Sequence, residues 1–216
     1  MVEHSYPYPR PMLTVDLIAL RWRKGTLEVA LIKRASDPFM GQLALPGGFV
    51  DQGESPRSAA VRELEEETQL QVIPSSLLEV GAFAEPNRDP RGWCLSIAFM
   101  AFLPANAEMR AGDDAAETHW MTWCSLQSGV HSLAFDHQEI LHKAAEQLKQ
   151  SMLTEPRALT LLGTPFRSRH ARQLYNQVWD RPLAPRPFKA WLRAQEVLTR
   201  VGKALYSSRP SFKRPW

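Results

Sequence analysis

The sequence predicts an α+β fold with a mixed sheet, followed by a small second domain of helices and a basic hairpin. Three observations carry this. Strand-length apolar runs interleave with helical spacings as far as residue 150, an order that lays hairpins and helices onto one sheet. Beyond Ser151 the strand-like runs give way to helical spacing broken by prolines. The charge divides at the same place. The net charge is only +3 over 216 residues, yet thirteen Lys or Arg against three Asp or Glu after residue 150 make that segment +10 and leave −7 before it. The length admits one large domain or two small ones; the split selects two, 1–150 and 151–216.

In order, 13–20 and 27–32 are apolar runs around the polar segment 21–25, a hairpin. Residues 43–45 form a short strand stopped by Pro46, Gly47 and Gly48. Ser55 and Pro56 open a helix, serine as N-cap and proline at the first helical position. Ala59, Ala60, Val61 and Leu64 are its apolar residues. Further strands fall at 77–84, 95–103 and 120–123, and a helix over 135–148 places Ile140, Leu141, Ala144, Ala145 and Leu148 on one side.

In the second part, 170–179 spaces Leu174, Tyr175 and Val178 as a helix does. Pro182, Pro185 and Pro187 break the chain, 188–201 resumes as a helix ended by Gly202, and 206–212 forms a small hairpin. This order suits a helix-turn-helix with a wing. A helical cap on the first domain's core is the competing reading, and a basic tail without a partner is the bland reading of the charge.

A hydrophobic share of 44% is ordinary for a globular chain, and no run of eighteen apolar residues exists. The first residues lack a signal-peptide pattern, so a soluble cytoplasmic protein with no membrane partner is the expectation. Two cysteines, Cys94 and Cys124, exclude a disulfide scaffold or a Cys-rich zinc site and read as buried hydrophobes. His119, His131, His137 and His142 show no ligand spacing and read as surface or helix-face residues.

The most informative stretch is 48–70. On a helix, Glu63, Glu66 and Glu67 stand at i, i+3 and i+4, three carboxylates on one face. They repel one another, and a divalent cation removes that cost. Oxygen-only ligands suit Mg²⁺ or Mn²⁺, and Mg²⁺ shares such sites with substrate phosphates. Gly47 and Gly48 let the backbone approach closely. Taken alone, three glutamates also describe a solvated acidic face.

The full spacing resembles the Nudix box: Gly48, five residues, Glu54, seven residues, then Arg62, Glu63, Leu64, Glu66, Glu67 and Leu70, with Gln69 where the family has glycine. The resemblance implies a Nudix α/β/α sandwich with a mixed sheet. It implies that Glu63 and Glu67 bind catalytic cations with Glu66 assisting, and that the Gly47 carbonyl completes the inner shell. Arg62 would orient the carboxylates, and Glu54 would tie the loop to the helix. The implied reaction is hydrolysis of a nucleoside diphosphate linked to another group. An added acid from a later loop is sought at Asp113, Asp114 or Glu117, where a hydrated acidic loop is an equal reading.

Arg88 and Arg91 lie in a Pro/Gly-rich loop and suit oxyanion recognition, or else one of them pairs locally with Asp89. With the segment around Gly48 and the basic C-terminal helices, this loop resembles the Nudix-related transcriptional regulators of NAD metabolism, the NrtR type. That resemblance implies a domain recognising ADP-ribose, with Gly48, Glu54, Arg88 and Arg91 at the ligand. It implies a winged helix on double-stranded DNA, a homodimer, and Arg186, Lys189, Arg193, Arg209 and Lys213 as DNA contacts, the helix 186–200 reading the groove. An ADP-ribose pyrophosphatase with an accessory C-terminal domain is the competing reading, because every acid of the box is present. Phe39, Phe83 and Trp93 are equal candidates to stack on an adenine.

Overall fold

β1 (Met12–Arg23) is the strand around which the first part is built. It pairs antiparallel with β2 (Thr26–Arg34). The hairpin turn is tighter than the polar segment suggested: Arg21 and Trp22 stay in the strand, both buried, and only Lys24 and Gly25 turn. Their φ values of 50° and 87° give the mirror-image two-residue turn that matches strand twist. Arg21 is tolerated inside because Glu28 accepts its Nε–H at 2.6 Å and its guanidinium lies 3.8 Å over the Trp120 ring. The computed structural model describes residues 7–112, 115–154, 157–195, 198–201 and 205–208.

The sheet places β3 (Leu43–Ala44) beside β2, then β1, then β6 (Cys94–Leu103) and β5 (Leu78–Phe83). β4 (Gly47–Phe49) also pairs with β1, and β7 (Ala115–Thr122) with β2. β1 and β6 run parallel from Met12↔Cys94 to Arg21↔Leu103, so the sheet is mixed as expected. Alternation along β1 sends Val15, Leu17 and Ala19 to α1 (Pro56–Thr68), where Ala59, Ala60 and Leu64 meet them. Ile18, Leu20 and Trp22 face the other layer, α2 (Trp123–Gln127) and α3 (His137–Thr154). Trp123, expected to end a strand, instead opens α2, whose N-cap Thr122 accepts from the Ser125 N–H. The helix expected from Phe135 starts two residues later, because Phe135 holds a left-handed φ of 52°. It then runs unbroken through position 150 to Thr154.

After a 3-10 helix, Arg157–Leu162, come β8 (Phe166–Arg167), α4 (Ser168–Trp179), α5 (Pro185–Arg193), β9 (Leu198–Val201) and β10 (Leu205–Ser208). The three strands pair in the order β8-β10-β9 beside two helices, the winged-helix arrangement. Two expectations are corrected. The helix expected over 188–201 stops at Arg193: the Ala194 N–H turns back to the Ala190 and Trp191 carbonyls. Thr199 and Val201, β-branched, pair with β10 instead. The hairpin arms are therefore β9 and β10 rather than 206–212; Gly202 and Phe212 lie outside the described residues.

The winged helix also covers the first part's core, so both readings of the C-terminal segment hold. Leu174, Tyr175, Val178 and Phe188 share one apolar cluster with Leu27, Val29, Leu148 and Met152. The Tyr175 hydroxyl donates to the Met152 carbonyl at 2.8 Å, satisfying one of the open carbonyls that end α3. The Gln177 amide accepts from the Leu27 N–H and donates to the Gly25 carbonyl, each at 2.8 Å, and so clasps the β1–β2 turn. Among the described residues no helix is long and apolar enough to cross a membrane.

Gln69, the departure from the box glycine, ends α1 in the left-handed conformation that a glycine would take (φ 58°, ψ 17°), its N–H on the Glu65 carbonyl at 2.8 Å. A side chain there is strained by roughly 1–2 kcal/mol. Gln69→Gly is therefore expected to raise the unfolding free energy by about 1 kcal/mol, after the entropy that glycine adds to the unfolded chain is subtracted; urea denaturation measures it.

Candidate functional site

β4 and α1 bring the box together. β4 lies against β1 in the register Thr14↔Phe49, Val15↔Gly48, Asp16↔Gly47. Only glycine fits at position 47, where backbone meets backbone, and glycine at 48 leaves the Glu63 carboxylate in place. A Cβ on Gly47 would stand 2.1 Å from the Val15 carbonyl oxygen, and one on Gly48 2.5 Å from the Glu63 carboxylate. Ser55 caps α1 by accepting from the Ser58 N–H, which aims the glutamate face at β4.

Arg62 spends all five N–H donors on this assembly. Nε and Nη2 take Glu54 (3.2 and 3.0 Å), Nη2 also takes the Phe49 carbonyl (2.9 Å), and Nη1 takes Glu63 (2.7 Å) and Glu66 (3.0 Å). The hydrogen bond to Glu54 leads the effects that raise the Arg62 pKa, and it holds the Glu54 carboxyl below its usual value. Glu66 is exposed. Glu67 is 7% exposed and accepts the Gly47 N–H at 2.9 Å. Burial pushes the Glu67 carboxyl up to about 8; the Gly47 N–H and Arg34 work against the rise, and Glu63 adds to it. Burial likewise raises Glu63, against the pull of Arg62.

A buried carboxylate this costly to ionise fits a site made to receive a cation. The donors, carboxylates and a backbone carbonyl, suit a hard divalent ion. Among the described residues no three acid, imidazole or thiol groups are already gathered as a cage. Arg62 holds Glu63 and Glu66, so an ion would compete with it for both. The acids sought in a later loop divide. Asp113 and Asp114 lie outside the described residues, and Glu117, on β7, is exposed and pairs with Lys33 at 3.3 Å.

A cavity of about 250 Å³ opens beside the box, with Asp16, Arg34, Glu63, Glu67, Arg91 and Phe135 among its lining. The two expected arginines differ in role. Arg88 is buried, its fork on Asp136 (2.8 and 2.7 Å) and reaching Asp16 at 3.4 Å. Arg91 pairs with Asp89 (2.6 Å) and lies over Phe49 and Phe135, 4.9 and 5.4 Å to the centroids. Arg34, which sequence reasoning missed, ends β2 and lies 4.9 Å over Phe135. Burial first, then the nearby Arg91, lowers the Arg34 pKa. Two guanidinium groups that repel one another beside one ring describe a place for an anion. A lone arginine ending a strand carries no motif, so no sequence signal marked it.

Two bland readings are corrected. His137 is 4% exposed and bonded on both ring nitrogens, not on a surface, because α3 begins under the Leu45–Gly47 segment. Cys124 is exposed, on the outer side of α2, while Cys94 is buried as expected. His119, His131 and His142 are partly or fully exposed. Of the aromatics named, Phe39 packs edge-on against Phe135 (4.8 Å) and Trp93 is 58% exposed. Phe135, not named, is the ring in the cavity.

On the second part, Arg186, Lys189 and Arg193 follow one another at i, i+3 and i+7 along α5, opposite buried Phe188 and Leu192. Arg209 and Lys213 lie outside the described residues.

An α/β/α sandwich with a glycine strand facing a glutamate helix, joined to a winged helix, defines the class. The NUDIX domain family matches residues 10–144, and the chain belongs to the Nudix family. Members that hydrolyse their substrates generally use divalent metal ions. The chain is 42% identical over 134 residues to an ADP-ribose pyrophosphatase of Methanocaldococcus jannaschii, covering 62% of this chain and 73% of that protein. It is 30% identical over 186 residues to the ADPR responsive transcriptional repressor NtrR of Acinetobacter baylyi, covering 84% and 72%. Among solved structures, a MutT/nudix family protein from Enterococcus faecalis superposes with a TM-score of 0.85 at 30% identity, over 96% of this chain and 90% of that one. Shewanella oneidensis NrtR complexed with a 27mer DNA gives 0.73 at 25% identity, over 92% and 94%. The NUDIX domain of the same protein complexed with ADP ribose gives 0.59 at 28% identity, over 67% and 94%.

The Glu67 shift has a sign. A carboxyl raised from 4.5 to about 8 costs the fold nothing below 4.5, destabilises it increasingly as pH rises from 4.5 to 8, and holds that full cost above 8. Glu67→Gln is thus expected to raise the melting temperature of the metal-free protein by several degrees at pH 9 and to leave it nearly unchanged at pH 5. Added Mg²⁺ should stabilise the parent at pH 8 and not the variant; calorimetric melts read all three.

Proposed function

We propose that the chain is an ADP-ribose-responsive DNA-binding regulator of the NrtR type, acting in the cytoplasm as a homodimer. The observation that carries this is the basic face of α5, presented by a winged helix whose α4 is clasped to the Nudix hairpin through Gln177. Relatives with this whole-chain architecture include an ADPR responsive repressor and a protein solved on DNA. Arg34 and Arg91 are assigned to the diphosphate, with Gly48 in the wall and Glu54 behind it, holding Arg62. Arg88 acts behind them by holding Asp136. Arg186, Lys189 and Arg193 are assigned to double-stranded DNA, with Arg209 and Lys213 in the basic tail. A dimer would set two α5 helices on half-sites about one helical turn apart.

A second reading is favoured by the intact acids. Glu63, Glu66 and Glu67 with the Gly47 carbonyl would hold Mg²⁺ or Mn²⁺, which when bound lowers the pKa of a water and neutralises phosphoryl charge. The chain's own part is to keep Glu63 and Glu66 aligned through Arg62 and to grip the diphosphate with Arg34 and Arg91. Hydrolysis of ADP-ribose to AMP and ribose 5-phosphate would then clear the effector.

Retardation of the protein's own upstream DNA, with and without ADP-ribose, tests the regulator; product analysis of the same tubes with Mg²⁺ or Mn²⁺ tests hydrolysis. No specific retardation at low salt rejects the first, and absence of both products rejects the second. Lys189→Ala and Arg193→Ala should each weaken DNA binding and flatten the salt dependence of log K by about 0.9 for each phosphate no longer neutralised. Arg34→Ala should weaken ADP-ribose binding at least about tenfold, as expected when one charge-assisted hydrogen bond is removed, with little change in DNA binding when no ligand is present.

A further inference from the structure

His137 opens α3 as a buried imidazole with both ring nitrogens engaged. Nδ1 accepts the Leu45 N–H at 2.9 Å, and Nε2 lies 3.2 Å from Asp16 Oδ1. A nitrogen that accepts carries no proton, so the ring proton is on Nε2 and is donated to Asp16. The ring rests against Phe135 of the cavity wall, 5.3 Å between centroids. Asp16 is buried and receives two further donors, Ser96 Oγ at 2.5 Å and Arg88 Nη2 at 3.4 Å. Burial works against its ionisation, yet these donors hold the carboxyl below its usual value. Asp136, the preceding residue, takes the fork of Arg88.

Two adjacent residues at the head of one helix therefore grip three separate segments: β1 at Asp16, the Arg88 loop, and the chain just before the box glycines at Leu45. The Leu45–Gly48 segment is fixed residue by residue. His137 takes the Leu45 N–H, the Leu17 N–H takes the Pro46 carbonyl at 2.8 Å, and Glu67 takes the Gly47 N–H at 2.9 Å. There is no slack beneath it, since a Cβ on Gly47 would already meet Val15 and Asp16. Of these holds only the one from His137 comes from a side chain outside the sheet and the box helix.

We infer that His137 is a positioning residue for the ligand pocket, locking the Leu45 backbone to Asp16 and so setting where Gly47 and Glu67 stand. The inference rests on the reading of that pocket as an ADP-ribose site. Without the imidazole, the Leu45 N–H is buried with no acceptor and the Asp16 carboxylate loses a donor, so the glycine strand is free to shift away from Glu67.

The test uses the full chain in four forms: the parent, His137→Ala, His137→Asn and His137→Gln. Asparagine keeps an acceptor where Nδ1 stands; glutamine reaches Asp16 with a donor and leaves Leu45 unserved. Amide hydrogen exchange over 45–48, ADP-ribose affinity by calorimetry and a melting curve are read on each. Expected for His137→Ala are exchange faster and affinity weaker by at least about tenfold, the effect of one buried group left unpaired. His137→Asn should recover most of both, and His137→Gln should follow alanine. If His137→Ala does not fold, the contrast between asparagine and glutamine decides. Affinity within about twofold of the parent in His137→Ala overturns the inference, as does an asparagine variant no better than glutamine. If the parent itself binds no ADP-ribose, the reading of the pocket falls. Exchange over 45–48 then judges His137 alone: unchanged exchange in the variants overturns the role, and the alanine–asparagine difference upholds it.

Discussion

Glu63, Glu66 and Glu67 of one helix crowd together with Glu54 of the loop before it, and a single guanidinium makes that arrangement possible. Arg62 reaches Glu54, Glu63 and Glu66 and the Phe49 carbonyl at once. Lysine, with a point charge and three donors, has no geometry that spans the same partners. Because Arg62 closes the loop onto the helix, β4 can press against β1, and because β4 presses there, Glu67 is buried against Gly47 rather than solvated. Of these four acids, Glu67, which Arg62 does not reach, is the one whose pKa rises most. The cavity beside the box follows from that placement.

The C-terminal segment is positioned by different means. α4 meets the first part through apolar side chains around Leu174 and Val178 and through two polar points, Tyr175 on the end of α3 and Gln177 on the β1–β2 turn. α5 uses its apolar face for packing and leaves the basic residues outward, which is the division of labour an amphipathic helix allows. The strong charge contrast between the two parts thus coexists with a shared core, since the basic residues lie on the side away from it.

Much of this is legible in the sequence, and the reasons for the exceptions are physical. The box can be read because its chemistry needs fixed spacing along one helix, so Glu54, Arg62, Glu63, Glu66 and Glu67 all fall where that spacing implies. β1 and β6 are plain as apolar runs because both faces of a central strand are covered. The turn is misplaced by the sequence because Arg21 and Trp22 look polar-flanked, and only Glu28 and Trp120 from neighbouring strands explain their burial. Helical spacing over 198–201 extends α5 too far because pairing with β10 is non-local and outweighs it. Arg34, Phe135 and His137 escape a sequence reading for one reason: the end of β2 and the start of α3 meet at the pocket only in the fold, and no local pattern joins them.

β1 is one unbroken strand of twelve residues. Its near end lines the pocket at Thr14, Val15 and Asp16, and its far end is the turn held in the grip of Gln177. An extended strand with rigid hydrogen-bonded neighbours is a strut: it is already near its full rise of about 3.3 Å per residue and neither stretches nor buckles easily. A ligand that pushes on Asp16 pushes on the same strut that α4 is clasped to at its far end. The pocket and the C-terminal helices are thereby joined by a single length of backbone.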